Sequence, residues 1–486
     1  MNSLAHLVLL GWIPACLVLC AVLGARVGVA AALVGGPMFL PVLNLDLPGP
    51  LDLGKAEATS LALLFAVLVF DPPRLSAYRF RPIDLLFLGW VVSGSTASLA
   101  NDLGVYDAFA TALNRLVRWG IPYWIGTVYF GSREGLRLAL WALFLGALAY
   151  MPLVLFEVRM SPQLHYLVYG ASQHSFEQTI RGGGYRPMVF MAHGLELSLW
   201  MCAGVVAGFV LWRSHRGRAP LGLPVGAALL SLAVTAVLCK STGAILLGLI
   251  GVVASLPLFR SFACHALMGF VPVFMLVRLF GSGALERTLV ELSESISDDR
   301  AGSLRYRFEN EQLLLERLWR NPWFGAGGWD FGSMVDPETG EVSLITTDSY
   351  WIIMAATTGL FGLIATIGML WLPVVRGLRR LTAADWERLA ACLVLGMLIL
   401  DSLVNAFVPP YYIALAGALG HVPLWESDQQ AAVPTAAAAA PDAARVANAV
   451  GAPAPAVAAL DPLRQPLRPG SRRDVAWLQP RSARSS

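Results

Sequence analysis

Charge is scarce in this chain. Only 14% of its 486 residues are Asp, Glu, Lys or Arg, 56% are hydrophobic, and mean hydropathy is +0.62. Soluble globular proteins carry about 25% charged residues. The shortfall excludes a soluble enzyme and a disordered scaffold. Cysteine is sparse as well: Cys16, Cys20, Cys202, Cys239, Cys264 and Cys392 all fall in or beside apolar segments, and none makes a CxxC spacing. That excludes a secreted disulfide module and leaves the six as small apolar residues. No two histidines have HExxH spacing, so no metal is expected. A net charge of +3 is too small to imply nucleic acid. The start lacks a basic n-region and a small-residue cleavage site, so the first apolar run reads as a retained helix.

What the chain does have is apolar runs. They lie at 6–24, 27–42, 58–71, 83–100, 109–130, 138–157, 187–212, 221–239, 243–258, 264–281, 350–374, 386–405 and 409–424. A helix needs about 20 apolar residues to cross a ~30 Å hydrocarbon core. The expected fold class is therefore all-α: a polytopic transmembrane helix bundle of about 12 or 13 spans. The short runs read as tilted, broken or re-entrant segments.

Arg-rich short loops mark the cytoplasmic side of a membrane protein. Arg74, Arg79 and Arg81 form one such loop, and Arg133 and Arg137 a second. Arg213, Arg216 and Arg218 form a third, and Arg376, Arg379 and Arg380 a fourth. Even numbers of spans separate them, so all four share one side and the N-terminus falls outside. The expected organisation is an N-terminal bundle at 1–281 with an outer loop at 158–186, a large outer loop at 282–349 (periplasmic by the resemblance named below), C-terminal spans at 350–426 and a tail at 427–486. The tail is rich in Ala, Pro and Arg without apolar periodicity, as a disordered cytoplasmic segment would be.

The 282–349 loop carries a predicted helix at about 303–320. Leu304, Phe308, Leu315 and Leu318 or Trp319 form its apolar stripe, Asp298, Asp299 or Ser303 can cap it, and Pro322 stops it. Arg305 with Glu309, and Arg307 with Glu311, stand at i,i+4 spacing. Arg300, Arg305 and Arg307 read either as a solvated helix face with its own ion pairs or as an anion site. Guanidinium forks bind phosphate oxygens bidentately, and this helix would lie where a lipid-linked pyrophosphate presents itself. Next, NPWFGAGGWDF (321–331) sets aromatics among glycines, a composition that lets backbone approach a ligand closely. Elsewhere, Lys240 in CKSTGA falls on the outer face, where positive charge is disfavoured. Arg186 ends the 158–186 loop, and His193 falls within the outer part of the next span, reading as packing or as a working residue.

Together these features resemble the O-antigen ligase/polymerase family, bacterial multi-spanning enzymes acting on undecaprenyl-pyrophosphate-linked glycans. Arg305 or Arg307, Trp319, Asn321, Pro322, Gly325, Gly327 and Phe331 match the first part of the family pattern. Gly359, Leu360, Phe361 and Gly362 match its last part, and Lys240 lies near a family arginine. The likeness is dense over about 300–365 and architectural elsewhere. Where many members have His-Asn, this chain has Asp348-Ser349.

The resemblance implies glycan transfer from undecaprenyl pyrophosphate to an acceptor hydroxyl at the periplasmic face of the bacterial inner membrane. No cofactor is implied, because the donor is already activated. Arg305, Arg307, Lys240 and Arg186 would bind the pyrophosphate. Asp348 or His193 would accept the hydroxyl proton. Asn321, Pro322, Trp323, Gly325 and Gly327 would form a substrate loop. Implied partners are membrane lipid, a flippase and a chain-length regulator, in O-antigen, lipopolysaccharide or exopolysaccharide biosynthesis. Asp in place of His favours a polymerase over a ligase. The alternative is a transporter or flippase of the same lipid-linked glycan, which would carry charges at the midplane and broken helices.

Overall fold

The computed structural model describes residues 1–181, 183–214, 224–281, 283–295, 298–328, 333–335, 342–344, 348–382 and 384–421. Arg216, Arg218, Phe331 and the expected tail at 427–486 lie outside the described residues. So do the side chains of Asp298, Asp299, Arg300 and Ser303.

Among the described residues the regular structure is mostly helical. The helices are α1 (Ser3–Leu23), α2 (Ala25–Phe39), α3 (Lys55–Phe70), α4 (Asp84–Ala100), α5 (Val105–Arg115), α6 (Ile121–Ile125), α7 (Arg133–Met160), α8 (Leu164–Tyr169) and α9 (Gly194–Ser214). They continue with α10 (Val225–Leu238), α11 (Thr242–Ala254), α12 (Pro257–Phe280), α13 (Ala284–Glu294), α14 (Asp298–Arg320), α15 (Tyr350–Arg379), α16 (Trp386–Asp401) and α17 (Pro410–His421). Among the described residues strands occur only as short antiparallel hairpins: β1–β2 (Leu45–Asp46 with Asp52–Leu53), β3–β4 (Ile180–Arg181 with Gly184–Tyr185) and β5–β6 (Ser333–Val335 with Val342–Leu344).

Among the described residues five helices, α1, α7, α9, α12 and α15, are long and apolar enough to cross a membrane. Every other expected span also coils into helix, but several are short. The 12 residues of α17 reach only about 18 Å. The expected single span at 109–130 runs from Val105 to Phe130 through two π turns, at 116–120 and 126–130. Its second half lies tight against α17. A Cβ on Gly126 would collide with the Ala414 carbonyl, and one on Gly417 with that of Tyr123. Glycine lets these two backbones touch.

Hydrogen bonds tie the helix ends into two groups. At one end Arg133 and Arg137 both hold the buried Glu387, at 3.0 and 2.6 Å, and Arg260 donates to the Thr382 carbonyl. Arg213 lies over Trp386 at the same end. Of the expected basic loops, those of Arg133 and Arg137 and of Arg213 thus meet at the start of α16. At the opposite end, Asn2 bonds to Val168 and Tyr169, Lys55 to Phe190, and Tyr350 to the turn after α16. The core between is a continuous body of Leu, Val, Ala and aromatic side chains from α2, α3, α7, α9, α15, α16 and α17.

The predicted helix of the large loop begins five residues earlier than expected, at Asp298. An unforeseen helix, α13, packs beside it. Phe308, Leu315 and Leu318 are buried as the stripe requires, whereas Trp319 turns out towards Phe280. Neither expected i,i+4 ion pair is among the ion pairs formed. Arg305 pairs with Glu294 of α13, Arg307 with Asp348, and Glu311 with Arg278 of α12. Arg278 also pairs with Glu286, so one buried guanidinium joins α12, α13 and α14. Exposed i,i+4 pairs contribute only about 0.3–0.5 kcal/mol, too little to compete with tertiary partners.

Candidate functional site

The candidate residues collect at the end of the bundle opposite the basic loops. Arg307 projects from α14 towards the turn between α16 and α17. Its Nη1 donates to the Val404 carbonyl at 2.9 Å and to Asn405 Oδ1 at 3.4 Å, and its Nε lies 3.2 Å from Asp348 Oδ2. The turn is fastened from two sides. Tyr350 N–H is shared by the carbonyls of Ser402 and Asn405, and Asn405 Nδ2 donates to Asp401 Oδ1 at 2.8 Å. Asp401 and Asn405 were missed in the sequence. Their signal was two lone polar residues, i and i+4, closing an otherwise apolar run.

Arg186 directly follows β4, the second strand of the β3–β4 hairpin. It donates to the Lys240 carbonyl at 3.2 Å, while its Nε–H is buried without an acceptor among the described residues. A buried N–H without a partner calls for an anion or water. Lys240 forms the tight turn between α10 and α11 with φ +55°, a left-handed conformation uncommon outside glycine. Its Nζ reaches back to the Arg181 carbonyl at 3.1 Å, over a bare Gly184 where a Cβ would collide with it.

His193 stands immediately before α9, rather than within a span as expected. Its ring stacks on Phe407 at 5.4 Å and meets His174 edge-on at 4.8 Å. Burial, then electrostatic repulsion from His174, Arg186, Arg307 and Arg181, pushes its pKa down to about 4. It is neutral at pH 7. Its Nδ1 accepts the Leu195 N–H at 3.0 Å, which leaves the proton on Nε2. In this state the Nε2–H of His193 is a hydrogen-bond donor. Arg186 is pushed down to about 10 by burial, then by Arg181 and Arg307. It stays charged at pH 7.

Thus Arg307, Arg186, Lys240, His193 and Asp348 converge from separate segments. Arg305 does not join them. It points the other way, into a groove between α13 and α14 lined also by Glu291, Phe308 and Leu313, and its pair with Glu294 is 58% and 43% exposed. By comparison Arg307 is 24% exposed.

The expected substrate loop has a structural occupation. α15 breaks at Gly359, where φ is +68° and ψ −170°. Residues 322–327 fill the break. Ala326 and Gly327 N–H groups donate to the Ala356 and Thr357 carbonyls at 2.8 and 3.0 Å, and Leu360 N–H donates back to Pro322 at 2.7 Å. Asn101 of the α4 end clips Gly325 and faces Asn321. A Cβ on Gly325 would lie 2.5 Å from the Thr357 carbonyl carbon, and one on Gly359 would strike Trp323. Gly325 therefore brings its backbone against that of α15, and Gly327 lies against the Leu103 side chain. Trp323 and Phe324 remain outward and exposed.

Among the described residues, no three His, Cys, Asp or Glu side chains gather as a metal site would need. No protein-family model matches the chain, and no curated protein matches it in sequence.

Proposed function

We propose that the protein is a polytopic inner-membrane enzyme that transfers a saccharide from undecaprenyl pyrophosphate to an acceptor hydroxyl at the periplasmic face. The observation that carries this reading is the meeting of Arg307, Arg186, Lys240, His193 and Asp348 at one end of a bundle of apolar helices. Several cations around a partly buried site, with one carboxylate among them, suit a pyrophosphate leaving beside a group that takes a proton.

In this reading the acceptor oxygen attacks the anomeric carbon while the bond from that carbon to the pyrophosphate oxygen breaks. Charge growing on the leaving oxygen is stabilised by Arg307, Arg186 and Lys240, which are already in place. The unpartnered Nε–H of Arg186 supplies one donor and the Nε2–H of His193 another. The hydroxyl proton goes to Asp348, because the free lone pair of neutral His193 is already engaged by Leu195. Membrane lipid surrounds the apolar helices, and a flippase and chain-length regulator are partners by resemblance. Of the two outcomes, a polymerase is favoured over a ligase by Asp348 standing where a His is usual.

A lipid-linked-glycan transporter is the second reading. The break in α15 and the charges inside the bundle favour it. Against it, residues 322–327 pin the break with four backbone hydrogen bonds.

The test is mass analysis of lipid-linked glycans in cells lacking the protein and in cells carrying variants. Single repeat units should accumulate on undecaprenyl pyrophosphate. Arg307→Ala should reproduce that profile, with product down by about a hundredfold or more, in the range of losing a transition-state donor. Arg305→Ala should leave product nearly unchanged. Intermediates stalled on the inner leaflet would instead support transport, and an unchanged profile would refute both readings.

A further inference from the structure

A second cavity, of about 260 Å³, opens beside the cationic cluster. Its walls come from the connection before α3, the first turn of α3, the helix after α5, the start of α9 and the turn before α17. Four charged side chains line it: Lys55, Glu57, Arg118 and Glu196. None belongs to the cluster described above. Phe407 is common to both, lining this cavity and stacking on His193. The two compartments therefore adjoin across that pair of rings.

The four charges are held in place. Lys55, one of two lysines in the chain, donates from Nζ to the Phe190 carbonyl at 2.7 Å. Glu57 accepts the Gly54 N–H at 3.1 Å and stands 3.6 Å from Arg118. Glu196 accepts the Ala192 N–H at 3.0 Å and is attracted by Lys55. An ammonium has three donors and a carboxylate about four acceptor positions, so each keeps unused capacity. Ionisable groups among apolar helices are costly and mark functional sites. Pairs that served stability alone would close the space between them, and here it is open.

Two cations and two carboxylates cancel. A phosphate in this cavity would meet two carboxylates, whereas next door it meets Arg181, Arg186, Arg307 and Lys240 opposed by Asp348. A neutral wall dense in donors and acceptors, with Phe407, Pro409 and Pro410 as its apolar side, suits a polyol. Hydroxyls can donate to Glu57 and Glu196 and accept from Lys55 and Arg118. The volume lies just below the range of about 300–1,000 Å³ typical of small-molecule pockets, which fits one sugar unit. We propose that this cavity binds an uncharged sugar unit, the acceptor end of the reaction, next to the pyrophosphate cluster. The proposal rests on the glycan-transfer reading and adds the acceptor's location and charge class.

The test places one thiol on the wall, as Ala406→Cys or, where that variant does not fold, Asn44→Cys. The six native cysteines are buried. The full-length protein in detergent is reacted with methanethiosulfonates bearing a glucosyl, a sulfonate or a trimethylammonium group, each rate normalised to a free thiol. The glucosyl reagent should react about tenfold faster than either charged one, a difference of about 1.4 kcal/mol. Adding Glu57→Gln and Glu196→Gln should remove its advantage over the sulfonate while binding of undecaprenyl pyrophosphate stays unchanged. A sulfonate or trimethylammonium rate equal to the glucosyl rate overturns the proposal, and so does a thiol that no reagent reaches. If the glucosyl preference appears while the lipid-linked glycan profile is unaltered in cells lacking the protein, the sugar site stands and the transfer reading falls. If the profile changes and the preference is missing, the reverse holds.

Discussion

At the scale of single residues, Arg305 and Arg307 illustrate how two neighbours on one helix take opposite duties. They are two positions apart, and on a helix that spacing does not bring side chains to the same face. One reaches Glu294 in a solvent-exposed groove and the other reaches Asp348 and the α16–α17 turn. Their sequence pattern could not separate them, because the choice depends on where α13 and the turn lie. His193 yields a prediction about pH. Its ordinary value is 6.5, and the folded value is about 4. Above 6.5 it is neutral in both folded and unfolded chains. Between 6.5 and about 4 the unfolded chain binds a proton that the folded chain refuses. Stability contributed by the neutral ring is therefore present above 6.5 and is lost as pH falls towards 4, at about 1.4 kcal/mol per unit before solvent screening. Thermal unfolding in detergent at pH 7.5 and 4.5 should show a large acid loss for the native protein and a smaller one for His193→Asn. Equal losses would mean that the ring is not held neutral.

Between elements, the controlling feature is the insertion of residues 322–327 into the broken α15. The sequence showed Asn-Pro, two glycines and a later Gly-Leu-Phe-Gly as separate matches. The structure makes them one joint, in which the frayed carbonyls of Ala356 and Thr357 find donors in the loop. Backbone groups left unpaired among apolar helices would cost several kcal/mol. Gly359→Ala forces a side chain into a left-handed position and into the Trp323 backbone. The expected loss is about 2–5 kcal/mol, from roughly 1–2 for the backbone and 1–3 for overpacking. Chemical unfolding of the purified variant should register it, together with proteolysis near residue 323. A neutral Gly359→Ala would show that the joint is not a source of stability. Arg278 was equally hidden from sequence reading, as a single Arg at the end of an apolar run. Only packing reveals that it holds both Glu286 and Glu311.

For the molecule as a whole, the arrangement predicts two chemically distinct sides. The helix ends carrying Arg133, Arg137, Arg213 and Arg260 meet around Glu387 and Trp386, and the candidate site lies at the opposite ends. In intact cells, an impermeant thiol reagent should modify Ser175→Cys, which is exposed near His174. It should spare Ser76→Cys, exposed beside Arg74, until the membrane is opened. Labelling of both from one side would overturn the expected orientation.

By itself the sequence determined the class of this protein. Its sparse charge and repeated apolar runs admit helices and little else, because an apolar environment requires each backbone group to find its partner within its own segment. Helix positions were legible, since they depend on local composition and spacing, whereas of the four cations expected to act together Arg307, Arg186 and Lys240 meet and Arg305 does not. Only tertiary structure decided which of those residues act together. Arg305 is set apart and Asn405 drawn in. Gly325 turns towards α15, and Lys55, Glu57, Arg118 and Glu196 meet around one cavity. These are contacts between residues tens to hundreds of positions apart, and helix packing sets such distances without leaving a periodic trace along the chain.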